Sequence, residues 1–299
     1  MLGYAAMNHT LRDEEPPRRC NRDMHKQTWE ERGLAYAGEL AAQNFADLRV
    51  ILEWNLDHDI RFYRCSSTLV PWNSQFDIAD LPNFERIRSL ARDCGDLVKE
   101  TGTRLTFHPS HWCKLASESA DTVARSVESV THHGRWLDLM DLPRSPRYAI
   151  NVHIGAHYGD KNATADRFCD VVEDLPPRAR DRLTVENDDT ESLWSVDELA
   201  DSVATRTGTP VTFDYHHHGF TDRGLTYREG FEVARDTWGD VRPVTHYSEP
   251  ARLHGATDAR PQNHAEHVRA VPEWLRRASD VMVESTGKEQ SIPRIRDAG

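Results

Sequence analysis

Eight short apolar runs alternate along this chain with longer segments of helical period, and few folds accommodate that alternation. The runs are Leu2–Met7, Ile60–Arg64, Arg104–Phe107, Tyr148–Val152, Leu183–Val185, Pro210–Phe213, Val244–Thr245 and Asp280–Val283. Between Trp29 and Leu56 the residues Leu34, Leu40, Phe45, Leu48 and Leu52 recur at helical spacing, in one helix or two. Further helices are expected over Phe84–Lys99 (closed by Gly102), Asp121–Leu142, Asp166–Leu175, Val196–Thr207 (N-capped by Ser195), Tyr227–Trp238 and His264–Ser279 (interrupted at Pro272). Residues 12–26 are charged and Pro-containing and read as a surface loop. Eight strands alternating with helices predict a single-domain (β/α)8 TIM barrel over residues 1–299, a length that suits that fold. A doubly wound open sheet is the alternative, but no G-x-G-x-x-G follows the first run.

The ends of the runs carry the chemistry. His108, His153, Glu186, Asp214, His246 and Glu284 close six consecutive strands, and His217 and His264 lie just beyond strand ends. In a barrel such ends converge on one face. One polar residue at a strand end is commonplace; six in succession predict a shared site. Imidazole with carboxylate suits Zn²⁺ or Mn²⁺, and abundant carboxylate leans toward Mn²⁺. Asp214 and His217, three apart, leave their strand end in different directions and could serve two neighbouring metals. Paired divalent ions activate water and stabilise the leaving oxygen of a phosphodiester, and a central carboxylate such as Glu186 can bridge them.

The formal net charge is −12, with 49 Asp and Glu against 37 Lys and Arg. Only Lys26, Lys99, Lys114, Lys161 and Lys288 are lysines. Such a chain repels a phosphodiester backbone overall. It reads either as a protein without a nucleic-acid partner or as one adapted to high salt, where long-range charge is screened. The Lys-poor, Arg-rich composition favours the second reading, which leaves room for a locally basic, metal-centred DNA groove. Cys20, Cys65, Cys94, Cys113 and Cys169 form no C-x-x-C pair, which fits a reducing cytoplasm. No membrane span, targeting segment or required protein partner is expected.

The order of short motifs resembles that of the UV damage endonuclease family, whose barrel is similar to endonuclease IV and xylose isomerase-like proteins. The matches are Leu2-Gly3-Tyr4-Ala5 with Asn8, Trp54-Asn55, Ile60 to Ser67 with Pro71, His108-Pro109, Asn151 to Gly155 with Tyr158 to Lys161, Glu186-Asn187-Asp188, Asp214 with His217, His246-Tyr247-Ser248, His264-Ala265, and Asp280 to Glu284 with Lys288-Glu289. The resemblance implies an endonuclease that uses two or three divalent ions (Mn²⁺ first, with Zn²⁺, Mg²⁺ or Co²⁺ as options) to nick double-stranded DNA 5′ of UV photoproducts. By the same resemblance, His108, His153 and Glu186 hold one ion. Glu186, Asp214, His246 and Glu284 hold a second, and His217 and His264 help hold a third. Tyr4, Asn8 and Arg64 would face DNA, and Tyr158 and Lys161 could meet its backbone.

Departures from the family pattern matter. Gln75 replaces a usual His and could still reach a phosphate. Val244 replaces a usual Lys beside the metals. His111-Trp112 stands where the family has a damage-probing Gln-Tyr, and Trp112 could stack or wedge in an opened duplex. Two other functions compete: a sugar isomerase or epimerase on the same kind of barrel, and a damage-binding protein whose cleavage is disabled by the losses at 75 and 244.

Overall fold

Parallel pairing joins each strand to the next and the last back to the first, closing an eight-stranded barrel. The strands are β1 Leu2–Ala5, β2 Phe62–Cys65, β3 Arg104–Phe107, β4 Ile150–Val152, β5 Leu183–Glu186, β6 Val211–Asp214, β7 Val244–Tyr247 and β8 Asp280–Val283. This computed structural model describes residues 1–297. Nearly every strand residue is buried, because the interior is filled by side chains and the exterior by helices.

Most helices follow the sequence pattern, with boundaries set by local chemistry. Lys26–Asp57 is broken at Gly33, whose φ of 53° a side chain would oppose, so the first helical segment is two helices across a kink. Phe84–Thr101 ends on Gly102 at φ 67°. Ser195 and Glu198 form a capping box ahead of Val196–Leu199, which continues through a π-turn at Ala200–Ala204 into Thr205–Thr207.

One expectation fails, and one helix was not anticipated. His264–Ser279 is helical only over Glu273–Ala278. His264 instead pairs antiparallel with Pro250, and Ala251 and Ala265 donate to the Asn263 and Glu249 carbonyls. The backbone around His264 is thereby committed to a loop ladder, and Pro272 has no N–H to extend a helix backward. Beyond β6 the chain does not loop away but turns at once into the helix Tyr215–Thr221, N-capped by the Asp214 carboxylate, which accepts from His217 N at 2.7 Å.

At the far end of the barrel from these helix starts, Asp280 opens β8 and gathers the Met1 amino group at 2.8 Å, Arg104 at 3.0 Å and Arg242 at 3.0 Å. Val244, at the start of β7, packs with Ala5, Phe62, Trp238 and Met282 in a small apolar cluster.

Candidate metal centre

Register places the strand ends at one level, with Asp214 opposite His246 and Glu186 opposite Thr212. Glu186 is therefore central. One of its oxygens, Oε2, lies 3.4 Å from His108 Nε2 and 3.5 Å from His153 Nε2; the other, Oε1, lies 3.0 Å from His246 Nδ1 and 3.5 Å from His217 Nδ1. Two groups bring candidate ligand atoms within 4.8 Å of one another: His108, His153 and Glu186, and Glu186, Asp214 and His246. They share Glu186.

Outer contacts orient these ligands. His108 Nδ1 donates to the Pro109 carbonyl at 2.9 Å, which turns Nε2 toward Glu186. His217 Nδ1 donates to the Asn187 carbonyl at 3.0 Å. His153 Nδ1 faces Asp188 at 3.2 Å, a carboxylate–imidazole pairing of the kind that raises ligand basicity. Asn151 donates to Glu186 and accepts from Thr184. Neither Asn151 nor Asp188 carries a role of its own in the sequence reading, although both stand in strand-end motifs beside a candidate ligand.

Burial would raise the Glu186 carboxyl, but His246, His153 and His108 hold it well below the usual range. Burial would lower His153, yet Glu186, Asp188 and Asp214 lift it to about 9. His246 is likewise raised against its burial, by Glu186 and Glu284, whereas burial lowers His108. Mutual charge thus supports a cluster that burial opposes.

The donor set fits divalent cations. Imidazole and carboxylate are their usual ligands. Asp214 Oδ2 and His264 Nδ1 are buried without a hydrogen-bond partner, an arrangement that is unfavourable unless something else engages them. Glu284 stands 3.2 Å from His246 and is held by Arg64. His217 and His264 lie outside both tight groups; their rings are 6.4 Å apart.

The residues expected at DNA divide differently. Tyr4 and Asn8 are buried: the Tyr4 hydroxyl donates to Asn55 at 2.7 Å and accepts from Asn8 at 2.9 Å, while Asn8 Oδ1 accepts from Leu11 N. They form an internal brace rather than the DNA-facing surface expected of them. Lys161 is not a free cation either, since Glu198 at 2.7 Å and the Leu193 carbonyl hold it. His111 and Trp112 lie together on the β3 loop, with Trp112 76% exposed. Gln75 is exposed, and Tyr158 is partly exposed against Arg167. Cavities of about 230 Å³ and about 250 Å³ flank His108, His153 and His217, the first reaching Arg64 and the second Lys114. A larger cavity of about 830 Å³, between Pro272 and Arg296, is lined by no histidine.

Fold and site together define a TIM barrel with a carboxylate–imidazole cluster at its C-terminal mouth. The chain belongs to the UV-endonuclease UvdE family, whose sequence model matches residues 1–297. It is 29% identical to the UV-damage endonuclease of Schizosaccharomyces pombe over 97% of this chain and 49% of that protein. It is 28% identical to the UV DNA damage endonuclease of Bacillus cereus over 85% of this chain and 80% of that one. The crystal structure of SacUVDE matches with a TM-score of 0.84 at 29% identity, over 98% of this chain and 95% of the other. The chain spans about half the length of the fungal relatives it matches. Endonuclease IV from Thermus thermophilus (TM-score 0.56, 15% identity, 84% of this chain and 92% of that one) shares the fold alone. So does D-psicose 3-epimerase from Clostridium cellulolyticum (0.52, 14%, 80% of each). No helix among the described residues is long and apolar enough to cross a membrane.

Proposed function

We propose that this chain is a divalent-metal DNA-repair endonuclease that nicks the backbone on the 5′ side of UV photoproducts in duplex DNA. The observation that carries the reading is Glu186, one buried carboxylate shared by two ligand groups at the barrel mouth of a UvdE-family chain.

His108, His153 and Glu186 would hold one ion, Glu186, Asp214, His246 and Glu284 a second, and His217 with His264 a third; the mixed imidazole and carboxylate set suits Mn²⁺ or Zn²⁺. Such ions supply Lewis acidity toward a phosphodiester and lower the pKa of water. The protein's own groups do the rest. Asp188, 3.2 Å from His153 Nδ1, favours a proton on that nitrogen and leaves Nε2 on the Glu186 side. Asn151 fixes the Glu186 carboxylate. Arg64, against Glu284 at the cavity wall, offers positive charge to a phosphate. Trp112 and His111 offer the rim an aromatic pair that could stack on unpaired bases, and Gln75 and Tyr158 are further exposed contacts.

The test uses a 5′-labelled duplex with one photoproduct, Mn²⁺, and salt from low to molar. We expect incision next to the lesion on its 5′ side, abolished by EDTA and reduced at least about a hundredfold by Glu186→Gln. Full nicking by Glu186→Gln would overturn the reading. A second reading, a damage-binding protein without cleavage, is favoured by the apolar surroundings of Val244 where the family has a Lys. It predicts a lesion-dependent gel shift with no incision at any salt.

A further inference from the structure

Three of the five lysines meet a carboxylate: Lys26 with Glu30 at 3.6 Å, Lys99 with Asp141 at 2.8 Å, and Lys161 with Glu198 at 2.7 Å. Among the described residues, Lys114 and Lys288 have none in ion-pair range, and both sit at the barrel mouth. Lys288 is half-buried, and burial and the neighbouring Arg64 guanidinium oppose its charge more than Glu284 and Glu289 support it. The Lys114 ammonium group makes a single hydrogen bond, to the Gly155 carbonyl at 3.3 Å, and lines the 250 Å³ cavity with His108, His153 and His217. An ammonium group has three donors, so two of its three are free.

The seat of Lys114 is built into the fold. Its backbone N–H donates to Ser126 Oγ at 2.8 Å, and its carbonyl accepts from Ser117 N at 3.2 Å. Neighbouring Cys113, Leu115 and Ala116 are buried, which anchors the segment. On the opposite wall Gly155 has φ +64°, and a Cβ there would lie 2.2 Å from Lys114 Nζ. The ammonium group therefore packs closely over Gly155, which has no side chain in its way. A cation bound to a neutral carbonyl, in a chain of net charge −12, is poorly explained as a structural ion pair. It is well explained as one that exchanges that carbonyl for an anion.

We propose that Lys114 binds a backbone phosphate of duplex DNA beside the metal cluster, on the β3–β4 side of the cleft. The inference rests on the DNA-endonuclease reading above. It makes Lys114 a source of affinity that does not depend on sequence or lesion, because phosphate contacts position a duplex without reading it.

Binding of an undamaged fluorescein-labelled duplex is measured by anisotropy, in Mn²⁺, from about 50 to about 200 mM salt, for the wild type, Lys114→Gln and Lys114→Arg. One lost phosphate contact should lower the slope of log affinity against log salt by about 0.9, so the fourfold salt rise weakens Lys114→Gln about three- to fourfold less than wild type. Lys114→Arg should restore the slope. Bound metal per chain and melting temperature should be unchanged in both variants. Lys114→Gln with the wild-type slope overturns this inference alone, and so does a lowered slope accompanied by lost metal. A wild-type protein that binds no duplex overturns it together with the endonuclease reading.

Discussion

Asn151 on β4 donates its side-chain amide to Glu186 on β5, and Thr184 donates to the amide oxygen at 2.8 Å, so the carboxylate shared by both ligand groups is held by a chain of neutral hydrogen bonds. Substituting Asn151 by Leu removes the donor while keeping the size. Loss of such an outer contact typically costs about 10–100-fold in metal affinity. Mn²⁺ titration by calorimetry should show that loss for Asn151→Leu; an unchanged affinity would remove the orienting role assigned to Asn151.

The cluster should also make stability metal-dependent. Ligand at about 100 times its dissociation constant contributes about 2.7 kcal/mol to the folded state. That corresponds to a rise in Tm of roughly 4 °C in a domain of this size, at about 2.1 cal/mol/K of unfolding entropy per residue. A melting curve of the EDTA-treated protein that does not move on adding Mn²⁺ would count against the site.

His153 makes metal affinity pH-dependent. Burial pulls its pKa down, but Glu186, Asp188 and Asp214 raise it to about 9. A folded pKa above the unfolded value of about 6.5 stabilises the metal-free fold below about pH 6.5, and that contribution is lost as pH rises through about 9. A metal requires the neutral ring. Mn²⁺ affinity should therefore climb about tenfold per pH unit between about pH 7 and 9, then level off; a flat profile over that range would show that no proton is displaced from His153.

Acid stability should depend on Asp280. Burial would raise its carboxyl, but the Met1 amino group and Arg104 keep it below the ordinary range. A depressed folded pKa stabilises above the unfolded value of about 3.9, and that stability is lost as pH falls through the folded value. Arg104 is fully buried; burial lowers it to about 10, so it stays charged at neutral pH. Asp280→Asn strands that charge and should destabilise by about 3–5 kcal/mol in urea unfolding at pH 7, with the difference from wild type shrinking at low pH. Equal stability of the two proteins at pH 7 would contradict this account.

Trp112 is 76% exposed, with its ring beside that of His111 at the rim. Trp112→Ala should leave Tm within about 1 °C, because an exposed side chain contributes little to folding. If it stacks on a base, lesion-duplex affinity should fall by about 1–3 kcal/mol, roughly 5- to 150-fold. A fall in Tm with unchanged DNA affinity would make it a loop anchor instead.

The sequence by itself determined the barrel, the strand order and the convergence of His108, His153, Glu186, Asp214 and His246. Strand period and helix caps are local, and the C-terminal ends of parallel strands have to share a face. Tertiary structure decided what no local pattern encodes. The fate of Tyr4 and Asn8 depends on Asn55, far along the chain, which draws them inside. Lys161 is claimed by Glu198 from the helix that follows β5. His264 sits in a loop ladder because Pro250 pairs with it, although its flanking residues carry a helical period. Lys114 gains its place from Gly155, across the cleft in the β4 loop. For Tyr4, Lys161 and Lys114 the deciding partner is distant in sequence and comes within hydrogen-bond or contact range only when the barrel forms; for His264 it lies across its own loop.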